Sequence, residues 1–458
     1  MKGLEVSEVR LSDIDLGDRM DTDYFAKSNM QIEQTLRKVH SQELRIFANF
    51  VASAFYPAAT QLYSIGDTPF IRCVDCINYP LITKRQDDTF EKIPMSFVLE
   101  NDGINLLNKN DIVITKVGSP CYASLVYEHN EVALSRTVMG LKNIKCINPF
   151  YLLVFLRSKY GFTQLLRVRE LTIQYQLTLE RVKRIRIFVP EESFQLQIEQ
   201  MVKSAHAKLE ESKQLYAAVE DQLLLEIGLK DWQPKNQNIN VKNLSESFLR
   251  SGRLDAEYYQ SKYDEIEAKI KSYNGGYDFI SNRFVQNNDV CNYEKAEYKY
   301  IEIGDVNVGD GSVSPNIIPT IELPDNAKRV LHFNDILISK VRPYRGAVAI
   351  INFDDNDLIG SGAFTVLREN GTYKKEVLQV LLRTDVYKDW LLKWNVGSSY
   401  PVIKDEDVLN LPIPIIPAKI QEEISSKIQK SFALKAESKR LLEQAKLMVE
   451  QEIEKGGE

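Results

Sequence analysis

The sequence predicts an α+β fold in which two globular modules each lead into a long helix, and in which the two long helices pair with each other. Three observations predict it: segments that recur in the same order, short apolar runs typical of β-strands, and heptad spacing of apolar residues near 194–227 and 419–453. With 458 residues, of which 44% are hydrophobic and 27% charged, the chain has apolar material for two or three packed domains.

The internal repeat is visible in three pairs of segments, and DIVITKV and DILISKV in the second pair agree at five of seven positions. The pairs are 19–38 with 253–272, 111–117 with 335–341, and 211–213 with 437–439. Their offsets are 234, 224 and 226 residues, and their order never changes. This regularity indicates a duplication, which decides the architecture before any motif is considered.

Both copies predict the same series of elements. A short opening helix precedes β-rich sequence, and a helix follows, at 149–167 in the first copy and 374–394 in the second. An apolar strand comes next, RIRIFVP or NLPIPIIP, and its prolines end the strand and open the terminal helix.

The terminal helices carry the heptad pattern. The first, about 194–227, has a stripe at steps of four and three that includes two polar members, Ser212 and Glu226. The second, about 419–453, has a weaker middle, where Lys435 and Ser438 fall on the stripe. Since either helix alone would expose its stripe, we expect the two to pair, and a helix of about 35 residues is roughly 50 Å long.

The charge is unevenly distributed. A net charge of −6 argues against a protein that coats nucleic acid without selectivity, because phosphate contacts need Lys and Arg. Residues 157–186 carry a local charge of +6, whereas residues 191–226 carry −5. We expect the first segment to be able to face phosphates and the second to face protein.

The motifs of several enzyme classes are absent from the sequence. There is no phosphate-binding G-x-x-x-x-G-K-[ST] and no G-x-G-x-x-G. Residues 148–151, Asn-Pro-Phe-Tyr, resemble the N-P-P-[YF] loop of adenine methyltransferases but lack its second proline, so a proline at a helix start explains them better. Cys73 and Cys76 have a metal-like spacing without a second ligand pair, and five irregularly placed cysteines indicate neither zinc nor a disulfide framework. We expect no catalytic residue, no metal and no cofactor bound by this chain.

Polar, basic and aromatic residues on loops after strands are the candidates for DNA contact, since Arg, Lys, Gln and Ser can reach base edges and phosphates. In the first copy they are Lys116, Ser119, Tyr122, Arg136, Gln174, Tyr175 and Gln176, with Ser135, Arg167 and Arg169 beside them. In the second copy they are Lys340, Arg342, Tyr344, Arg345, Ser361, Ser398, Ser399, Tyr400 and Lys404, with Lys393 beside them. Recurrence at matched positions is the reason for choosing them.

The segments RMDTDYF, RLDAEYY, DIVITKVGSP, DILISKVRPYRG and NVGSSYPVIKDEDVLNLPIPIIPAKIQEEI together resemble the specificity subunits of type I restriction-modification systems. The resemblance covers nearly the whole chain and includes the duplicated order. The first copy departs from the pattern, with LTIQYQLTLERVKRIRIFVP where the second has the more typical GSSYPVIKDEDVLNLPIPIIP.

The resemblance implies that each module is a target recognition domain reading one half of a two-part double-stranded DNA sequence, and that an antiparallel coiled coil sets the spacing. The implied domains are 1–190 and 246–416 for target recognition, 191–228 and 417–456 for the helices, and 229–245 for a linker. The implied partners are two methyltransferase subunits that methylate adenine N6 with S-adenosylmethionine, and an endonuclease subunit that can join them. The chain itself would be a non-catalytic subunit.

The alternatives are a stand-alone DNA-binding regulator that dimerises through its helices, a fused restriction-modification enzyme that has lost its catalytic half, and an adaptor coiled coil. Gel filtration distinguishes the stand-alone regulator, because helices that pair between chains give a dimer, whereas helices that pair within one chain give a monomer. No stretch approaches about 20 apolar residues and the start is charged, so we expect a cytoplasmic protein without a membrane partner.

Overall fold

A computed structural model describes residues 8–9, 21–54, 59–84, 89–118, 121–170, 175–235, 237, 239–397 and 400–457. The chain divides into two compact units. The first unit comprises Met1–Ala207 with Glu437–Glu458, and the second comprises Lys208–Ala436. Each long helix therefore contributes one part of its length to each unit.

The described residues of the first unit form three sheets, with strand orders β1-β11, β2-β10-β7-β8-β4 and β5-β3-β9-β6. The strands are β1 Ser41–Glu43, β2 Asn49–Ala52, β3 Thr68–Ile71, β4 Leu81–Ile82, β5 Lys92–Ile93, β6 Leu106–Asn108, β7 Ile112–Thr115, β8 Ala123–Val126, β9 Glu131–Leu134, β10 Val138–Lys142 and β11 Arg186–Phe188.

In the second unit the part of the chain that the structure describes also forms three sheets, with strand orders β12-β21, β13-β20-β17-β18 and β15-β14-β19-β16. The strands are β12 Tyr277–Phe279, β13 Phe284–Gln286, β14 Glu297–Ile301, β15 Asn316–Pro319, β16 Ala327–Val330, β17 Ile336–Ser339, β18 Val348–Ile350, β19 Leu358–Ser361, β20 Phe364–Glu369 and β21 Pro412–Pro414.

The strand order of the first unit repeats in the second. Ten strands correspond one to one, from β1 with β12 to β11 with β21, and β4 alone has no counterpart among the described strands. The one parallel pairing among these ten is also shared, because β3 runs parallel to β9 and β14 runs parallel to β19. The duplication predicted from the sequence is confirmed in the topology.

Shorter helices occur in both units. They are α1 Lys27–Lys38, α2 Cys73–Asn78, α3 Met95–Glu100, α4 Pro149–Arg157, α5 Lys159–Arg167 and α6 Leu179–Val182 in the first unit. The two long helices are α7 Glu192–Glu226 and α14 Ala418–Gly457. Between the two long helices in sequence, the short helices of the second unit are α8 Phe248–Ser251, α9 Ser261–Lys271, α10 Ile280–Arg283, α11 Lys375–Arg383, α12 Asp385–Leu391 and α13 Asp405–Leu409.

The prediction of single helices at 149–167 and 374–394 was wrong, because each region is interrupted by a hydroxyl residue. Ser158 separates α4 from α5, and its side chain accepts a hydrogen bond from Gly161 N. Thr384 separates α11 from α12 in the same way, with Tyr387 N as the donor. Both residues have extended backbone angles, as N-cap residues do, so each starts a new helix instead of continuing the old one.

The long helices contact each other inside each unit. In the first unit the Ser438 hydroxyl donates to Ala205 O at 2.6 Å. In the second unit the Ser212 hydroxyl donates to Ser431 O, and the Ser431 hydroxyl donates to Ser212 O, both at 2.8 Å. Residue numbers rise along one helix as they fall along the other, so the two segments are antiparallel. Two polar positions on the predicted stripe, Ser212 and Ser438, are therefore hydrogen-bonded within the helix pair. The other two bond elsewhere, Glu226 to Tyr273 and Lys435 to Asp310.

The cores of the two units use the same positions of the stripe. In the first unit Ile198 and Val202 on α7 pack with Ala445, Val449 and Ile453 on α14. In the second unit the matching residues are Ile424 and Ile428 on α14, Val219 and Leu223 on α7, and Ile227 directly after α7. Burying such side chains stabilises each unit by about 1.5 to 3 kcal/mol per residue. No helix in the described part of the chain is both long and apolar enough to span a lipid bilayer.

Candidate nucleic-acid interface

The loop that follows DIVITKV or DILISKV is tied to two other segments in each unit. Lys116 N donates to Thr137 O at 2.8 Å, and Leu177 N donates to Lys116 O at 2.9 Å. In the second unit Lys340 N donates to Ala363 O at 2.9 Å, and Ile403 N donates to Lys340 O at 3.0 Å. In the first unit the backbone thus brings together the end of β7, the turn before β10 and the segment before α6. In the second unit it joins the end of β17, the turn before β20 and the segment before α13.

We call residues 116–118, 135–137 and 175–177 the first loop cluster, and residues 340–345, 361–363 and 400–404 the second loop cluster. The third residue of the first segment in each cluster, Gly118 or Arg342, has a left-handed backbone, with φ of 90° and 49°. Glycine adopts this conformation without strain, whereas arginine does so at some cost. In the second loop cluster the hydrogen bond from Arg342 N to Pro401 O, at 2.7 Å, holds it there.

An arginine stacked on an exposed tyrosine marks the second loop cluster. The guanidinium carbon of Arg342 lies 4.4 Å from the centre of the Tyr400 ring, and Tyr400 is 63% exposed. Tyr344 and Arg345 are also exposed, on a 3₁₀ turn over Pro343–Arg345. The partly exposed Arg342 thus shares one short stretch of surface with an exposed cation and two exposed aromatic rings, which suits contact with bases and phosphates.

The two predicted lysines of the second loop cluster differ. The Lys340 ammonium lies 3.1 Å from Asp405 Oδ1, and its side chain is largely buried. Lys404 is exposed and directly precedes α13. Sequence reasoning missed Asp405, which also accepts a hydrogen bond from the Thr365 hydroxyl at 2.6 Å. Its only sequence signal is the acidic run at the start of α13, which by itself indicates a helix start.

The first loop cluster has a comparable stack. The guanidinium carbon of Arg169 lies 4.2 Å from the centre of the Tyr175 ring, and Tyr175 is 43% exposed. Gln176 is exposed, and its carbonyl accepts a hydrogen bond from Glu170 N at 2.7 Å. Arg136 is exposed on the turn between β9 and β10. Lys116 is half-buried, and this burial lowers the pKa of its ammonium group.

Two predicted residues do not lie on exposed loops. Ser361 is 2% exposed at the end of β19, and its hydroxyl accepts hydrogen bonds from Asn326 Nδ2 at 3.1 Å and from Ala363 N at 3.2 Å. Tyr122 packs edge-on against Phe162, with ring centres 5.8 Å apart. Four further predicted residues, Ser119, Gln174, Ser398 and Ser399, lie outside the described residues.

Three arginines of the basic segment 157–186 make contacts within the first unit, whereas the segment was expected to be able to face phosphates. Arg157 is largely buried and donates to the carbonyls of Ala123 at 2.6 Å and Cys76 at 2.9 Å. Arg167 donates to Tyr24 O at 2.8 Å and forms an ion pair with Glu33. Arg186 donates to the carbonyl and the hydroxyl of Ser41. These three arginines hold the first unit together.

The two motifs that resembled catalytic or metal sites have structural explanations. Asn148 is the N-cap of α4 and accepts hydrogen bonds from Phe150 N and Tyr151 N, with Pro149 as the first helical residue. Cys73 and Cys76 lie on α2, and burial raises the pKa of the Cys76 thiol to about 12. Among the described residues no group of three or more His, Cys, Asp or Glu side chains could hold a metal ion.

Comparison with known proteins finds a family model that matches part of the chain. Residues 263–446 match the family model described as the type I restriction modification DNA specificity domain. Over this part of its length the chain is similar to type I specificity subunits. It is 27% identical over 108 residues to the specificity subunit of the type I restriction enzyme EcoDI from Escherichia coli. That match covers 24% of this chain and 23% of the relative, so it spans about a quarter of either protein.

Two solved specificity subunits are also similar. The S subunit of a type I restriction-modification system from M. genitalium is 12% identical with a TM-score of 0.45, and the match covers 91% of this chain and 95% of that one. The HsdS subunit from Thermoanaerobacter tengcongensis is 16% identical with a TM-score of 0.27, over 77% and 81% of the two chains.

Proposed function

We propose that this chain is the DNA-recognition subunit of a type I restriction-modification complex, and that each loop cluster reads one half of a two-part double-stranded target. The observation that carries the proposal is the repeated construction of the loop clusters. The same three segments are joined by matching backbone hydrogen bonds, and in each unit an arginine stacks on an exposed tyrosine of the cluster. The match to a DNA specificity domain supports this assignment.

The chemistry of the exposed residues suits a mixture of base and phosphate contacts. Arginine can bond guanine O6 and N7 together, glutamine can bond adenine N6 and N7, and either lysine or arginine can neutralise phosphate. The clusters differ in composition, since Gln176 and Arg136 lie in the first while Arg342, Arg345 and Lys404 lie in the second. We therefore propose that the two half-sites have different sequences.

We propose further that α7 and α14 form an antiparallel coiled coil that sets the unread gap and docks two methyltransferase subunits. Buried serine hydrogen bonds between the helices and the apolar stripe support the pairing. The local charge of −5 over 191–226 disfavours phosphate contact and suits a protein partner. The partner would methylate adenine N6 with S-adenosylmethionine, an endonuclease subunit could join, and the present chain would not be catalytic.

The decisive experiment expresses the full chain with a methyltransferase subunit encoded beside it and maps N6-methyladenine across the host genome. We expect one two-part motif with a fixed gap. Insertion of one heptad at matched points of α7 and α14 should change the gap and leave both half-sites intact. A stand-alone regulator would give no methylation, and a continuous motif would contradict two separate readers.

A further inference from the structure

The first unit contains a cavity of about 290 Å³ between α4, α5 and the two long helices. Its apolar lining includes Leu153 on α4, Phe162 on α5, Val202 on α7 and Leu442 on α14. Glu443 and Lys446, which also line it, form an ion pair at 2.6 Å, and Glu443 is exposed. The site is thus an apolar space with charged groups at one side.

Arg157 is a largely buried polar residue of this cavity, which Tyr122 also lines. Its Nε and Nη2 atoms hold the carbonyls of Ala123 and Cys76. A guanidinium group has five N–H donors, so these two bonds use part of its capacity while its side chain lines the cavity. A cation in an apolar surrounding favours a ligand that carries a hydrogen-bond acceptor.

The second unit has a tyrosine at the corresponding place. Arg383, at the end of α11, matches Arg157 at the end of α4, and Tyr216 matches Leu442, each pair at the offset of 226 residues. Arg383 Nε donates to the Tyr216 hydroxyl at 2.6 Å, and Tyr216 is 8% exposed. In the second unit the Tyr216 side chain therefore fills this space. In the first unit the shorter Leu442 side chain leaves the matching space open.

We propose that the cavity of the first unit binds a phenol ring, placed as Tyr216 is in the second unit, with the phenol oxygen accepting a hydrogen bond from Arg157. The size is adequate, because an apolar cavity of about 150 Å³ takes up benzene. The proposal is independent of DNA recognition, since it depends on the comparison of the two units and on no residue of either loop cluster.

The test uses 4-methylphenol, the side chain of tyrosine as a free molecule, titrated into the full chain and followed by calorimetry and ligand-observed NMR. We expect one saturable site in the natural sequence. Leu442→Tyr should fill the cavity and abolish the site, whereas Tyr216→Leu should open the matching space and raise the stoichiometry from one to two. Toluene, which lacks the acceptor, should bind at least about tenfold more weakly than 4-methylphenol.

Two sources could supply the ring, a free para-substituted phenol or a tyrosine of a bound protein. N-acetyltyrosine amide distinguishes them: binding comparable to that of 4-methylphenol would admit a tyrosine within a chain, and selective binding of 4-methylphenol would assign a free molecule. No saturable binding to the natural sequence, or unchanged binding to Leu442→Tyr, would overturn the proposal. Leu442→Tyr alone decides the question if Tyr216→Leu does not fold.

Discussion

The guanidinium carbon of Arg342 lies 4.4 Å from the centre of the Tyr400 ring, and Arg342 N is bonded to the carbonyl of the residue that follows Tyr400. The stack restricts the Arg342 side chain, and the hydrogen bond from Arg342 N fixes the backbone that carries it. Arg169 and Tyr175 form the comparable pair in the first unit, at 4.2 Å. An arginine held in this way loses less conformational entropy when it contacts DNA, so both pairs are suited to specific recognition.

Substitution of the stack should affect one half-site only. For Arg342→Ala and Tyr400→Ala in the full complex we expect a loss of about 1 to 3 kcal/mol in binding free energy, confined to the half-site read by the second unit. Tyr175→Ala should do the same for the other half-site. The measurement is the methylated motif of each variant, together with binding to oligonucleotides altered in one half.

Lys430→Ala is the matched control for the second unit, because it removes an exposed cation on α14 that pairs with Glu211 outside both loop clusters. It should leave the motif unchanged. If Arg342→Ala also leaves both half-sites unchanged, the second loop cluster is not the reading surface.

Arg345 and Lys404 should contact the backbone of the DNA rather than its bases, since both are exposed at the edge of the second loop cluster. Each alanine variant should then weaken binding equally for all target sequences and reduce the slope of log K against log salt concentration by about one. Fluorescence titrations at several salt concentrations measure this slope. A change in the motif itself would instead assign the residue to base contact.

The buried arginines should control stability. Arg383 donates to the Tyr216 hydroxyl and to the carbonyls of Gly346 and Val308 at 2.6, 3.1 and 2.9 Å. Arg383→Met leaves these acceptors without their charged donor, so we expect a loss of about 3 kcal/mol or more from the free energy of unfolding. Urea denaturation measures it, and Arg440→Met, at an exposed arginine on α14, is the control. A loss of unfolding free energy in Arg383→Met smaller than that in Arg440→Met would contradict the stabilising role of Arg383.

Strands and long helices could be predicted from the sequence because they depend on local periodicity. The strands β7 and β17 are buried along their whole length, as the apolar runs in DIVITKV and DILISKV predict. The terminal helices, expected at about 194–227 and 419–453, are α7 Glu192–Glu226 and α14 Ala418–Gly457. A heptad stripe and a preceding proline were sufficient to predict where these helices lie.

The failures concern residues whose partners are distant in sequence. Arg157 belongs to a basic segment, yet its acceptors are carbonyls of β8 and α2, and backbone carbonyls leave no trace in a sequence pattern. Ser361 looks like a loop hydroxyl until Asn326 is found beside it. The breaks at Ser158 and Thr384 were missed because the apolar periodicity continues through them, although both are good N-cap residues.

The serine pair between the long helices should behave as a coupled unit. Ser212 and Ser431 each donate to the other's carbonyl at 2.8 Å, and both are buried. Each single alanine variant should lose about 1 kcal/mol of unfolding free energy, and the double variant should lose less than the sum of the two. A double-mutant cycle by chemical denaturation measures the coupling. Strict additivity would show that the two hydroxyls act independently.

Acid should destabilise the second unit partly through Asp310. Burial raises the pKa of this carboxyl group, but the charge of Lys435 and hydrogen bonds from Lys435 and Ser312 outweigh burial, and the pKa in the folded protein lies below the ordinary 3.8. A lowered pKa contributes stability that is present above the unfolded-state pKa and is lost as the pH falls through the folded-state value. The natural sequence should thus exceed Asp310→Asn in unfolding free energy at pH 7. This difference should shrink as the pH falls below about 4.

Because other carboxylates titrate in the same range, the quantity to measure is the difference between the natural sequence and the variant at each pH, by urea denaturation. Lys435→Met removes the pair from the other side and leaves Asp310 buried without its cation. It should raise the pKa of Asp310, so that this variant loses less stability in acid than the natural sequence does. A difference between the natural sequence and Asp310→Asn that stays constant from pH 7 to pH 3 would mean that the ion pair does not lower the pKa of Asp310, and that Lys435 lies on the heptad stripe for packing alone.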